Sequence, residues 1–158
     1  MAELKSAWSE SVAEIKTGNP VTDVILTQKQ KEAEEKGIDF RCKFMYPTDT
    51  GINAFDVSVI LNNAITNAFE GVNGCKNPYV SVSAYRKKNA YMLELTNCVC
   101  KSVEIDDETG VPETTKKDKG SHGFGLANIR KVAQKYYGDI DISQDENSFT
   151  LTVMLMVE

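Results

Sequence analysis

The chain has 158 residues, 41% of them hydrophobic, and a formal net charge of -5, which suits one domain with a sizeable core. The acidic balance argues against nucleic-acid binding through a basic face, although an anionic cofactor would need only a locally positive site. No apolar run approaches the roughly 18–20 residues of a membrane span, and the N-terminus lacks the apolar stretch of a signal peptide. We therefore expect a cytoplasmic chain that does not itself insert into a membrane.

The N-terminal part predicts two helices and a strand. Residues 2–16 carry apolar side chains at helical spacing, and the breaker at residues 18–20 ends that helix. A second helix over residues 21–36 ends at Gly37. Alternating apolar and polar residues then predict a strand over residues 38–46.

The middle of the chain predicts a long helix and a hairpin. Residues 54–71 place an apolar stripe along one side of a helix. Strands over residues 79–87 and 91–98 follow, joined by a turn. The polar segment 101–121 has no clear period, and connections of about twenty residues in compact domains are commonly functional lids or disordered segments.

The C-terminal part predicts a helix over residues 123–137, capped by Gly138, and strands over residues 139–143 and 148–157. Because two pairs of adjacent strands permit hairpins, we expect a two-layer α/β sandwich with helices on one face of a mixed, largely antiparallel sheet. A doubly wound parallel sheet fits poorly, since the helices do not alternate with single strands.

The four cysteines, Cys42, Cys75, Cys98 and Cys100, do not form a CxxC pair, and the chain has a single histidine. We therefore expect buried or partly buried free thiols and no structural zinc. Their pattern assigns them no other role.

Asn63 and Asn67 are the first candidate site. Their i, i+4 spacing puts both amides on one side of the helix, about 5–6 Å apart and beside the apolar stripe. An asparagine oxygen is a hard neutral ligand, which suits a Mg²⁺ ion that also keeps phosphate and water ligands. Asparagine is also common on helix surfaces, so spacing alone leaves both interpretations open.

The glycine-rich turn at residues 120–125, which runs into a helix, is the second candidate. Glycine lets the backbone approach a phosphate closely, and the helix that follows offers free N–H groups and a positive dipole end. The turn is neither a Walker A loop nor a dinucleotide-binding fingerprint, because no Gly-Lys-Ser/Thr follows and no strand leads directly into it.

Asn97, at the end of a predicted strand, is the third candidate: its amide could bind an adenine edge or cap a turn. The order of the Asn63–Asn67 pair, Asn97, a long polar segment and the sequence HGFGL at residues 122–126 resembles the ATP-binding domain of the GHKL superfamily. That superfamily groups gyrase, a heat-shock chaperone, histidine kinases and MutL. The resemblance runs from about residue 17 to the end.

Within the superfamily the chain resembles sensor histidine kinases of the peptide-quorum-sensing (AgrC-like) and citrate-sensor-like type, with residues 17–21 and 114–116 as further support. This resemblance implies a Bergerat-type sandwich that binds ATP and Mg²⁺ under a lid at about residues 99–121. It also implies that residues 1–17 end a dimerisation hairpin and that residues 18–158 form the catalytic domain.

The resemblance carries over residue by residue. Asn67 would ligate Mg²⁺, Asn63 would lie near the phosphates, and Asn97 falls where most of the superfamily has an adenine-reading Asp. Further ATP-binding residues are implied in the lid and in the second glycine box: Lys116, Lys117, His122, Gly123, Phe124, Gly125 and Leu126.

The chain departs from the superfamily pattern in two ways. Val99 and Lys101 stand where the first glycine box has its glycines, which implies weaker adenine binding. Hydrolytic members carry a Glu general base where Asn63 stands, and an amide cannot take a proton from water at neutral pH. We therefore expect the chain to present the γ-phosphate to another nucleophile.

That nucleophile is expected outside the chain, because histidine kinases phosphorylate a His on a dimerisation domain and His122 lies inside the glycine box. The expected partners are a phosphoacceptor domain of the same protein and a response regulator. The whole protein, of which this chain would be a part, could span a membrane. The alternatives are a nucleotide-binding module without kinase activity, a plain α/β scaffold, and an anti-sigma-factor-like Ser kinase, against which the helix at residues 2–16 argues.

Overall fold

The computed structural model describes residues 14–100 and 122–157, and for residues 122–124 it describes the helical backbone. Within these ranges the chain forms three helices and five strands. They are α1 (Pro20–Glu35), β1 (Asp39–Lys43), α2 (Ala54–Gly71), β2 (Tyr79–Lys87), β3 (Ala90–Cys98), α3 (His122–Lys135), β4 (Asp139–Gln144) and β5 (Ser148–Met156).

The five strands form one mixed sheet in the order β1-β2-β3-β5-β4. β1 pairs with β2 in parallel, since α2 carries the chain across between them. The other three pairings are antiparallel, including the two hairpins β2–β3 and β4–β5. This confirms the predicted mixed, largely antiparallel sheet.

One face of the sheet packs against the helices. Along β3, Tyr91, Leu93 and Leu95 are buried while the residues between them are partly exposed, which is the pattern of a sheet covered on one side. On the opposite face, the hydroxyls of Thr96 and Thr150 share a hydrogen bond of 2.9 Å. The helices supply fully buried side chains to the same core: Leu26, Ile60, Leu61, Ile65 and Ile129. The predicted two-layer α/β sandwich is thus confirmed.

Local capping explains where α1 and α2 begin. The Asn19 side chain accepts a hydrogen bond from the Val21 N–H at 2.8 Å, with Pro20 at the first helical position, where its missing N–H costs nothing. Asn53 caps α2 in the same way, accepting from the Phe55 N–H at 2.8 Å. The bounds predicted for α2 are confirmed, and α1 begins one residue earlier than predicted.

The strand predicted over residues 38–46 is too long. β1 ends at Lys43, because the backbone beyond it takes other partners: the Tyr46 N–H donates to the Thr17 carbonyl at 2.8 Å. The Tyr91 hydroxyl also donates to the Met45 carbonyl. These contacts hold the segment at the rim of the sheet, so the apolar alternation continues where the strand does not.

The predicted N-terminal helix over residues 2–16 falls mostly outside the described residues. Its last three positions, residues 14–16, are described and are not helical. Among the helices that the structure describes, none is long and apolar enough to cross a membrane.

Helices α2 and α3 lie antiparallel, fixed by a polar clamp at one end. The Lys135 ammonium lies 2.8 Å from the Asp56 carboxylate, to which the Tyr136 hydroxyl also donates. The same hydroxyl accepts from the Asn53 N–H at 3.0 Å. Burial of Asp56 opposes ionisation, but the hydrogen bonds from Lys135 and Tyr136 hold the pKa of this carboxyl below its ordinary value. The clamp therefore stabilises the fold at neutral pH and loses that contribution in acid.

Helices α1 and α3 end in the same motif. In α1 the Gly37 N–H donates to the Glu34 carbonyl and the Ile38 N–H donates to the Ala33 carbonyl. In α3 the corresponding N–H groups are those of Tyr137 and Gly138, which donate to the carbonyls of Gln134 and Ala133. This is a Schellman ending, whose left-handed residue is usually glycine. Gly37 fills that position in α1 with φ 69°, whereas in α3 it is Tyr137, with φ 59°.

Gly138, predicted as the cap of the last helix, is therefore not the left-handed residue. A Cβ on Gly138 would lie 1.7 Å from the Met154 carbonyl oxygen. Its lack of a side chain lets the chain enter β4 close against β5.

We expect Gly138→Ala to lower the free energy of unfolding by about 3 kcal/mol or more, because the backbone of β5 cannot move aside without breaking its pairing. Gly37→Ala is the matched control. It meets nothing within 4 Å and should cost only about 1 kcal/mol for its positive φ. Urea unfolding of both variants measures the difference, and equal losses would contradict the steric explanation.

Candidate functional site

A stripe of three residues on α2 faces the other candidate residues. Asn63, Asn67 and Gly71 are spaced i, i+4 and i+8, so they lie one above the other on one side of the helix. The first turns of α3 approach the stripe at its two asparagines, and the end of β3 approaches it at Gly71. The stripe therefore joins the three sequence motifs into one region.

Gly125 is where α3 meets the asparagine pair. A Cβ built on Gly125 would lie 3.1 Å from the Asn67 Nδ2 atom, 3.3 Å from its Oδ1 atom and 3.6 Å from the Asn63 Oδ1 atom. The backbone of α3 consequently lies directly against both amides. The structure thus brings together three residues that the sequence predicted for one site.

The amide nitrogen of Asn67 has no hydrogen-bond partner among the residues that the structure describes. This Nδ2 atom is buried without a hydrogen bond, the one buried side-chain atom of this kind in the part of the chain that the structure describes. Leaving a buried polar group unpaired costs about 1–3 kcal/mol. An amide whose nitrogen is not held can turn its oxygen towards a ligand. The Asn63 Nδ2 atom, in contrast, donates to the Val59 carbonyl at 2.8 Å.

Asn97 lies near the end of β3 with 5% of its surface exposed. Its Nδ2 atom donates to the Cys98 carbonyl at 2.9 Å and would lie 2.7 Å from a Cβ on Gly71. The amide nitrogen is thus fixed against the protein, and the Oδ1 atom is the group that remains to accept a hydrogen bond. Gly71, which Asn97 contacts, lies one helical turn beyond Asn67, about 6 Å further along α2.

The remaining predicted residues either precede α3 in the sequence or belong to its first turns. Lys116 and Lys117 lie outside the described residues. His122, Gly123 and Phe124 form the first turn of α3, where helix N–H groups lack intrahelical acceptors. Leu126 is buried in the hydrophobic core, so its side chain packs the start of α3 against that core.

Gly71 is a residue of this region that the sequence reasoning did not single out. It is the last residue of α2, where a glycine is easily interpreted as a helix stop. Extending the Asn63–Asn67 spacing by one further turn would have found it, since only a residue without a side chain lets Asn97 reach the helix backbone.

Val99, which stands where the superfamily has a glycine of the first glycine box, has a structural role. Its side chain is 7% exposed and its N–H donates to the Asn147 carbonyl at 3.0 Å. The position therefore continues the packing of the sheet and does not offer an open glycine backbone to a ligand.

We expect Gly71→Ala to lower the free energy of unfolding by about 1 kcal/mol or more, because its Cβ would collide with the Asn97 amide. Helix propensity alone would favour alanine by up to about 1 kcal/mol. In an Asn97→Ala background the collision is absent, so Gly71→Ala should be neutral or stabilising. A double-mutant cycle by chemical unfolding measures this coupling; additive effects would show that the contact is not close.

Comparison with known proteins places the chain in a family. The family model described as GHKL domain matches residues 52–156, which is more than half of the chain. No curated protein sequence matches.

Solved structures share the fold. The chain is similar to the nucleotide-free catalytic domain of histidine kinase ThkA, with a TM-score of 0.71 and 17% identity over 90% of this chain and 93% of that one. It is also similar to a histidine kinase from Burkholderia phymatum, with a TM-score of 0.64 and 13% identity over 99% of this chain and 77% of that one. For the Acinetobacter baumannii histidine kinase AdeS, the TM-score is 0.61 at 12% identity over 87% and 64% of the two chains. The five-stranded sheet, the site where α2, α3 and β3 meet, and the match over residues 52–156 show that this chain belongs to the GHKL domain family.

Proposed function

We propose that this chain is the catalytic, ATP-binding domain of a sensor histidine kinase, which presents the γ-phosphate of ATP·Mg²⁺ to a histidine on a separate dimerisation domain. The observation that carries the proposal is the unpaired Asn67 amide, which faces Gly125 at the start of α3. Membership of the GHKL family and the similarity in fold to three histidine kinase structures support it.

The metal ligand in this proposal is Asn67. Mg²⁺ prefers oxygen ligands and is usually held by one or two protein oxygens together with phosphate and water. The Asn67 oxygen fits that requirement, because no hydrogen bond within the described part of the chain fixes its amide. Asn63, one turn earlier and with its Oδ1 atom on the same side, would lie beside the phosphates.

The phosphates would lie at the N-terminus of α3. Free N–H groups in the first turn of a helix and its positive dipole end favour anions. Residues 122–124 form that turn, and Gly125 lets it lie against the asparagine pair. Lys116 and Lys117, which precede it in the sequence, would add positive charge.

The adenine end would be read by Asn97. Because its Nδ2 atom is held by the Cys98 carbonyl, Asn97 would act as a hydrogen-bond acceptor through Oδ1, as an aspartate would, but without charge. The adenine amino group is a donor that matches it. The buried Val99 at the first glycine box supports a weaker nucleotide affinity than a glycine there would allow.

The chemistry assigned to these residues is positioning. Bound ATP·Mg²⁺ supplies the phosphoryl group and neutralises part of its charge. Asn63 cannot act as a general base for water, so the site would hold the γ-phosphate for transfer and would hydrolyse it poorly. Residues 18–158 would form this catalytic domain in the cytoplasm, residues 1–17 would end the dimerisation hairpin, and a response regulator would receive the phosphoryl group afterwards.

We expect Asn67→Ala to abolish Mg²⁺-dependent ATP binding, a loss of at least about 100-fold in affinity, or about 2.7 kcal/mol. Isothermal titration calorimetry with ATP, with Mg²⁺ or with EDTA, measures it. Asn62→Ala is the matched control, since this neighbouring asparagine on the same helix is exposed and should leave the affinity unchanged. Unaltered affinity in Asn67→Ala would reject the metal assignment.

Kinase activity is tested by supplying the dimerisation domain of the same protein, with its phosphoacceptor histidine, in trans with radiolabelled ATP. We expect label on the acceptor that is lost with Asn67→Ala and with an acceptor His→Ala variant. Clear ATP binding without transfer would instead favour a nucleotide-binding module, which the buried Val99 also suits. Transfer to serine of a protein partner would identify a kinase of the anti-sigma-factor type.

A further inference from the structure

Three of the four cysteines gather beside the candidate site. Cys75 lies in the turn after α2, and its thiol has the thiols of Cys98, the last residue of β3, and Cys100 as neighbours. The Cys98 sulfur accepts from the Tyr79 N–H at 3.4 Å. Cys42 lies apart from the cluster on β1, paired with Val82.

The turn after α2 is shaped around the Cys100 side chain. The Cys100 thiol donates to the Asn73 carbonyl at 3.3 Å, and a Cβ on Gly74 would lie 3.1 Å from the same sulfur. Gly74 also has φ 88°, which glycine adopts without strain. Two contacts thus hold the Cys100 sulfur against Asn73 and Gly74, the two residues that precede Cys75.

A metal is not the expected occupant of this cluster. In the described ranges, no group of three His, Cys, Asp or Glu side chains is arranged to hold an ion. All four cysteines are free thiols, as predicted, although Cys100 is exposed where burial or partial burial was expected. A pair of adjacent thiols, one of them exposed, is instead a candidate for oxidation.

The two thiols differ in their access to solutes. Cys100 is exposed and Cys75 is partly buried. Burial, together with the neighbouring Cys98 and Cys100 thiols, raises the pKa of Cys75 to about 12. A solute oxidant therefore meets Cys100 first, and Cys75 reacts only with a sulfur that is already beside it.

We propose that Cys75 and Cys100 form a reversible disulfide when the protein meets a low-molecular-weight disulfide. The bond would join Cys75, in the turn after α2, to Cys100, two residues after the end of β3. It would bridge the place where Gly71 packs against Asn97, four and three residues earlier in the chain. This modification site is independent of the proposed kinase function.

The reaction has two thiol–disulfide exchange steps. The Cys100 sulfur, after releasing its proton to water, attacks the small disulfide; the S–S bond breaks, and one small thiolate leaves and takes up a proton. The Cys75 sulfur then attacks the Cys100 sulfur and displaces the second small thiolate, which receives the Cys75 proton. Two protein thiols are oxidised and one small disulfide is reduced to two thiols.

The test is incubation of the full chain with oxidised glutathione, followed by intact-mass measurement and disulfide mapping after alkylation. We expect a protein that loses two hydrogen masses and maps to a Cys75–Cys100 peptide pair, in the wild type and in Cys42→Ser. Cys75→Ser should instead keep glutathione on Cys100, and Cys100→Ser should lose most of the reaction at this cluster. Cys98→Ser should still form the bond.

Thermal unfolding gives a second readout that needs no variant. The bond would close a loop of about 25 residues, so the oxidised wild type should melt on the order of 10 °C higher than the reduced form, and the reductant dithiothreitol should reverse the shift. Three results would overturn the proposal: a dominant Cys75–Cys98 pair, stable glutathione on Cys100 in the wild type, or a disulfide-linked dimer that persists in Cys75→Ser.

Discussion

The approach of α3 to α2 at Gly125 is the contact on which the candidate site depends. The backbone of α3 lies within about one side chain's width of the Asn63 and Asn67 amides, since a Cβ at Gly125 would be 3.1 Å from the nearer one. The clamp of Lys135 and Tyr136 on Asp56 fixes the far end of the same helix pair. Lys135 and Gly125 are about 15 Å apart along α3, and Asp56 and Asn67 are about 16 Å apart along α2, so the two contacts agree on one register. A slip of one turn would take the start of α3 away from the asparagine pair.

The asparagine pair next to the apolar side of α2 has a cost for folding. Asn67 keeps an unpaired, buried amide nitrogen, while the residues beside the stripe, including Ala64, Ile65 and Ala68, pack into the core. Departures of this kind from a well-satisfied core concentrate at functional sites. Asn67 thus carries a folding cost at the position that the proposal assigns to ATP·Mg²⁺.

Glycine has two different roles in this structure. Gly37 adopts a left-handed backbone at the end of α1, and this role is readable in the sequence because helix ends favour glycine. Gly71, Gly125 and Gly138 are required for a different reason: each is approached closely by an atom far away in the sequence. At the end of α3 the left-handed position is filled by Tyr137. The helix, predicted to run to residue 137 and to be capped by Gly138, ends at Lys135.

The sequence by itself determined the helices, the hairpins and the two-layer class, because these follow from local periodicity: α2 spans the predicted residues 54–71 and β2 the predicted residues 79–87. It also placed Asn63 and Asn67 on one side of a helix, since i, i+4 spacing needs no tertiary information. Only the tertiary structure decided that β1 stops at Lys43, that Gly71 lies against Asn97, and that the Cys100 sulfur lies against the turn that leads to Cys75. Each of these depends on contacts between segments far apart in the sequence, and no local pattern records such contacts.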